Sequence, residues 1–271
     1  MQYPTPYPDA NAVLDLLLSG SREIFGARLI GMYLYGSLAT GDFDPATSDV
    51  DFVVVTDAPL DAEVFAQVGA LHRRIAASGL KLARKLEGAY TSPQTLRRFD
   101  PTDSPSFYYN EDHEDKLSVS QLGGDWIIQR HVLREHGVVI SGPPLKPMID
   151  PVSPDAIREA VRELLGGWWA SMLTDATFLQ PDAYQVFAVK TMCRALYTLE
   201  HGAITSKPDS VRWALAHIDA AWHLLITAAL DWQPGSTFDR LPQTLAFITY
   251  TLDRAEMLLD KSSNQRFSYK S

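Results

Sequence analysis

Asp49 and Asp51 stand two residues apart in Ser48-Asp49-Val50-Asp51, at the mouth of the apolar run Phe52–Thr56. Gly36-Ser37 closes an earlier apolar run, Leu29–Tyr35. Residues i and i+2 of a strand share a face. A strand beginning at Asp49 therefore aims both carboxylates the same way, about 7 Å apart at ~3.3 Å per residue. Like charges so placed need solvent or a cation between them, and a hard divalent ion with oxygen ligands, such as Mg²⁺, suits the pair. Gly36 and Ser37 add backbone N–H groups and a hydroxyl, donors that suit the phosphate oxygens of a nucleotide. The chemistry such residues can do together is metal-dependent phosphoryl or nucleotidyl transfer. An Asp-x-Asp beside Gly, Pro and Ser serves equally well as a plain turn.

The elements that must position these groups follow from hydrophobic periodicity. Asp9 or Asn11 caps a helix carrying Val13, Leu14, Leu16, Leu17 and Leu18, and Gly26 ends it. After the strand–loop–strand unit, Asp61 opens a second amphipathic helix with Val64, Phe65, Val68, Leu71 and Ile75 on one side, stopped by Gly79. Leu80–Thr91 reads as a third strand, kinked at Gly88. Ser92–Gly124 is interrupted by Pro93, Pro101 and Pro105 and reads as a long loop with aromatic residues and one short strand, LSVSQL. A helix spans Asp125–His136, and Val138–Ile140 is short and β-like. SGPPLKPMIDPVSP, with five prolines, marks a domain boundary. Beyond it the pattern is helical throughout, over about 155–175, 181–202, 208–218, 219–231 and 237–260. Most of its aromatic residues fall at core spacing.

The 271 residues are 46% hydrophobic and carry a net charge of −9, which argues against a nucleic-acid partner, since phosphate backbones are held by clustered Lys and Arg. Acidity is compatible with a cationic small substrate. One cysteine, Cys193, leaves no disulfide framework within the chain, and no apolar run approaches the ~20 residues of a membrane span. A cytoplasmic protein without membrane or nucleic-acid partners, monomeric or weakly dimeric, is expected. The seven histidines show no metal-ligand spacing.

The composite Gly36-Ser37-(eleven residues)-Asp49-Val50-Asp51 resembles the signature of the polymerase-β-type nucleotidyltransferases. Lys190–Ile218 resembles the helical-domain segment of the aminoglycoside (streptomycin/spectinomycin) adenylyltransferases, whose Arg, Tyr, Gly, Ile and Lys appear as Arg194, Tyr197, Gly202, Ile204 and Lys207. Asp125–Gly142 is similar to a further stretch of that family. The resemblance implies an α+β architecture. A nucleotidyltransferase domain with a mixed sheet would fill residues 1–145, and an all-helical domain 155–271, with the nucleotide in the cleft between. It implies an enzyme of antibiotic resistance that uses ATP and Mg²⁺ to transfer AMP to a hydroxyl of a small, cationic acceptor. On that reading Gly36, Ser37 and Ser48 contact the phosphates, and Asp49 and Asp51 hold the metal. Glu87 serves as catalytic base or third metal ligand. Asp125, Arg194 and Lys207 reach the nucleotide. The chain departs from the streptomycin-acting members in two places. Tyr184, with Asp182 nearby, stands where they have an acid ten positions before Arg194. Phe107, Tyr108 and Tyr109 stand in a region where they have a tryptophan. These five residues are expected to meet the acceptor.

Overall fold

The two apolar runs around Gly36 become neighbouring strands, β1 (Leu29–Leu34) and β2 (Val50–Thr56), paired antiparallel from Leu29↔Thr56 to Leu34↔Phe52. The computed structural model in which they lie describes residues 4–111, 116–124 and 126–268, with side chains described as far as residue 258. The chain divides into two compact units, Met1–Val152 and Ser153–Ser271.

In the first unit, β3 (Leu86–Thr91), β4 (Ser106–Asn110), β5 (Leu117–Ser120) and β6 (Val138–Ser141) complete a six-stranded sheet in the order β5-β4-β3-β2-β1-β6. The sheet is mixed: β2 and β3 run parallel and every other pair antiparallel. A parallel pair needs a crossover, and a helix between β2 and β3, Ala62–Ala76, supplies it. Its start is set by Asp61, whose Oδ1 accepts the Glu63 and Val64 backbone N–H groups at 3.0 Å each. This helix and the N-terminal one, Pro8–Phe25, bury their apolar stripes in one core. Leu14, Leu17, Val68, Leu71 and Ile75 meet Met32, Leu34, Phe52, Val54, Tyr90, Phe107 and Tyr109 there. Strand alternation assigns the opposite face to Asp51, Glu87 and Tyr108. Short helices Gly36–Thr40 and Pro93–Arg97 and the longer Trp126–His136 complete the unit.

Three local expectations are corrected. Leu80–Lys85 forms turns, and the third strand begins only at Leu86. Gly88 marks no kink, because the ladder runs through it in unbroken register, Phe52↔Gly88 and Gly88↔Tyr109. Its lack of a side chain answers a close approach instead: a Cβ there would lie 2.0 Å from the Phe52 carbonyl oxygen. Ser92–Gly124 contains two strands and a helical turn, and its aromatic triplet is β4.

The second unit is helical. Its elements are Pro154–Leu164, a π-helical turn at Leu165–Trp169, then Asp182–His201, Lys207–His217, His223–Asp231 and Leu241–Ser268. Ser153 and Ser206 cap the first and third of the α-helices, accepting from Ala156 N and Asp209 N at 3.1 Å each. Gly202, at φ +64°, ends Asp182–His201 in the left-handed conformation. Trp169 and Phe247 are buried in this unit as its periodicity requires, whereas the π turn leaves Trp168 43% exposed. Cys193 is buried, and desolvation pushes its thiol up to about 12, which makes it a packing residue.

Candidate active site

At the C-terminal end of β1 the chain turns through Tyr35 and Gly36 into a single turn of helix. Gly36 has φ +61°, and a Cβ on it would fall 1.9 Å from the Asp51 Oδ2 atom. Only glycine lets the turn approach the Asp51 carboxylate so closely. The Tyr35 backbone N–H donates to the Asp51 carbonyl at 3.2 Å, which fixes the turn against the start of β2. The loop from Asp44 to Ser48 is tied to itself. The Ser48 hydroxyl accepts from Asp44 N at 3.1 Å, and the Ser48 N–H donates to the Asp44 carbonyl at 2.8 Å.

The register of the parallel pair decides the rest. Asp51 is the direct partner of Glu87, so the two carboxylates share one face of the sheet. Asn110 is the direct partner of Glu87 on the other side, and Tyr108 shares that face two residues earlier. The Tyr108 hydroxyl donates to Glu87 Oε1. Burial, then the Glu87 charge and the hydrogen bond to it, and then the Asp51 charge all raise the Tyr108 pKa. Tyr108 therefore remains a neutral donor throughout the physiological range.

Asp49 lies just before the strand, which begins at Val50, so the i, i+2 argument for a shared face does not apply to it. Its Oδ1 is instead 3.4 Å from Lys85 Nζ, and the Lys85 carbonyl accepts the Val50 N–H at 2.6 Å. Among the described residues, no three His, Cys, Asp or Glu side chains are gathered to hold a metal ion, so the expected set of Asp49, Asp51 and Glu87 is not a preformed cage. The donors still fit Mg²⁺ by type. That ion is commonly held by one or two carboxylates, with substrate phosphates and water completing its shell.

In the second unit, Lys190 and Arg194 lie one turn apart on Asp182–His201, both half-buried. Phe187 precedes Lys190 by three positions, which places all three along one side of the helix. Lys207, at the start of the next helix, lies 5.1 Å from the centre of the Phe187 ring, a cation–π contact. Lys190 joins this basic group without having been marked in the sequence. Its i, i+4 spacing to Arg194 was the available signal.

A family model for nucleotidyltransferase domains matches residues 16–98, and one for the C-terminal domain of aminoglycoside adenylyltransferases matches residues 147–255. The chain is thus similar to nucleotidyltransferases over part of its first unit and to the aminoglycoside adenylyltransferases over most of its second. An aminoglycoside (3'') (9) adenylyltransferase of Escherichia coli is 25% identical over 225 residues, covering 79% of this chain and 81% of that protein. A crystal structure of spectinomycin adenyltransferase from Enterococcus faecialis, with ATP and spectinomycin, has the same fold. Its TM-score is 0.71 at 18% identity, over 90% of this chain and 98% of that one.

Several residues expected to meet an adenylyltransferase acceptor have other tasks. Phe107 and Tyr109 are 2% and 3% exposed and belong to the core on the opposite face from Glu87, because alternation sends them there when Tyr108 faces the carboxylates. The Tyr109 ring stacks on His72 with centroids 3.5 Å apart. Asp182 uses both carboxylate oxygens on backbone, accepting from Phe238 N and Asp239 N at 3.0 Å each. It thereby fastens the start of its helix to the segment before Leu241. Tyr184 packs on Phe178, with ring centroids 4.4 Å apart, and keeps an exposed edge. Asp125 lies outside the described residues. Among the described residues, no helix is long and apolar enough to cross a membrane.

Proposed function

We propose that this protein transfers AMP from MgATP to a hydroxyl of an aminocyclitol or aminoglycoside acceptor such as spectinomycin, releasing pyrophosphate. The observation that carries the reading is the pairing of Asp51 with Glu87 on one sheet face, directly beside the Gly36 turn. In this reaction the acceptor oxygen bonds to the α-phosphorus, the bond to the pyrophosphate oxygen breaks, and the hydroxyl proton passes to the Glu87 carboxylate. Asp49 and Asp51 would hold Mg²⁺, with Glu87 beside them, and the ion would neutralise charge on the phosphate oxygens. The backbone of Gly36 and Ser37 and the hydroxyl of Ser48 are suited to hydrogen-bond those oxygens. Arg194 and Lys207, which the resemblance assigns to the nucleotide, would supply positive charge for the pyrophosphate that develops as the bond breaks. The relatives named above support the acceptor class, since one acts on aminoglycosides by name and the other was crystallised with ATP and spectinomycin.

The test is pyrophosphate release with MgATP across a panel of aminocyclitols and aminoglycosides. Release with spectinomycin or a close relative is the expected result. A protein that binds MgATP yet releases no pyrophosphate with any member of the panel would contradict the reading.

A further inference from the structure

We propose that Tyr108 is a positioning residue for Glu87, holding the carboxylate in a fixed orientation through its hydroxyl, and is no part of an acceptor wall. The inference rests on the role proposed for Glu87 and deepens it. Three observations converge. Ala89↔Tyr108 and Glu87↔Asn110 are consecutive same-face pairs of the β3–β4 ladder, so backbone register, not a mobile loop, sets where the tyrosine sits. The Tyr108 hydroxyl donates to Glu87 Oε1. The Asn110 side chain in turn hydrogen-bonds Tyr108, two residues away on the same face.

The chemistry explains why a tyrosine suits this place. A carboxylate only accepts, so Tyr108 must donate, and an amide donating to the phenol oxygen strengthens that donation. A lysine here would neutralise Glu87, whereas a phenol removes none of its charge. Asp51 and Glu87 are two like charges on adjacent strands, and a neutral donor at Glu87 restricts how its carboxylate can turn away from Asp51. A carboxylate restrained in this way meets the acceptor hydroxyl without first being reoriented, which is an advantage in the transition state rather than in binding.

The experiment is Tyr108→Phe, which keeps the ring and removes only the hydroxyl. Turnover should fall about 10- to 100-fold, the range for removing a group that orients a reacting ligand, with KM for ATP and for the acceptor moving less than about twofold. In the Glu87→Gln background, the same change should have no further effect. The Glu87 carboxyl ¹³C resonance, assigned by its loss in Glu87→Gln, should shift in Tyr108→Phe. That readout needs no turnover, so it judges the Tyr108–Glu87 contact even if the wild-type protein acts on no acceptor tried. An unmoved resonance overturns the proposal. So does a raised acceptor KM at unchanged kcat, which would return Tyr108 to the acceptor site, or a full additional loss in the double variant.

Discussion

At the scale of single residues, the chemistry depends on which side of a strand each carboxylate takes. Glu87 is half-buried and in register with Asp51, with a hydrogen bond from Tyr108 that orients it. If it takes the acceptor proton, Glu87→Gln should lower turnover by about 100-fold or more, since general-base groups contribute 10²–10⁴. ATP affinity and melting temperature should stay near wild type. Turnover measured beside calorimetric ATP binding separates this from a folding defect. Retention of a large part of the rate would remove Glu87 from the chemistry.

At the scale of elements, two glycines carry opposite burdens. Gly36 sits at the turn, where a methyl group would enter the space of the Asp51 carboxylate, a side chain that can rotate away. Gly88 sits mid-strand, where a methyl group would meet the Phe52 backbone, which cannot yield without breaking the β2–β3 ladder. Gly36→Ala should therefore mainly cost activity, though its positive φ adds strain of order 1 kcal/mol. Gly88→Ala should lower the melting temperature sharply or leave the protein insoluble. Thermal melts of both variants, read against turnover, check the contrast, and equal melting temperatures would refute it. A second element-scale expectation concerns the helix Ala62–Ala76. Its His72 is 2% exposed, bonded through Nε2 to the Tyr90 hydroxyl at 2.9 Å, and desolvation lowers its pKa from 6.5 to about 3. The folded state keeps His72 neutral while the unfolded state protonates it below 6.5, so this contribution to stability is complete above that pH. It is lost progressively as pH falls toward 3, with a slope of up to ~1.4 kcal/mol per pH unit from one proton. Melting temperatures from pH 7.5 to 4.5 should fall for the wild type and fall less for His72→Gln.

At the scale of the whole molecule, the net charge of −9 belongs to the acceptor half of the problem. A cationic aminocyclitol is drawn toward an acidic protein over distances of roughly one Debye length, about 8 Å at physiological salt. Raising salt from 50 to 400 mM, at constant free Mg²⁺, should reduce kcat/KM for a dicationic acceptor while leaving kcat nearly unchanged. A salt-independent kcat/KM would show that local contacts alone select the acceptor.

Much of the candidate site was legible in the chain. Gly36, Ser37, Asp49 and Asp51 stand at spacings set by local strand and turn geometry, and the resemblance pointed to Glu87 in the same unit and, separately, to Arg194 and Lys207 in the second. Hydrophobic periodicity likewise marked both helices of the first core and the helical second unit, because period and burial are local properties of sequence. The triplet Phe107-Tyr108-Tyr109 shows the limit. Its residues look alike in composition, and an i, i+2 rule says only that the middle one differs from its neighbours. Which one faced the carboxylates depended on the pairing Ala89↔Tyr108, a contact between strands nineteen positions apart. A slip of one residue would have exchanged core and site. The structural task of Asp182 was hidden for the same reason, since the backbone groups it holds lie more than fifty residues away. Sequence alone determined the candidate groups and the kinds of element that carry them. The tertiary structure decided which neighbours orient those groups, because strand register and long-range hydrogen bonds are properties of the folded chain.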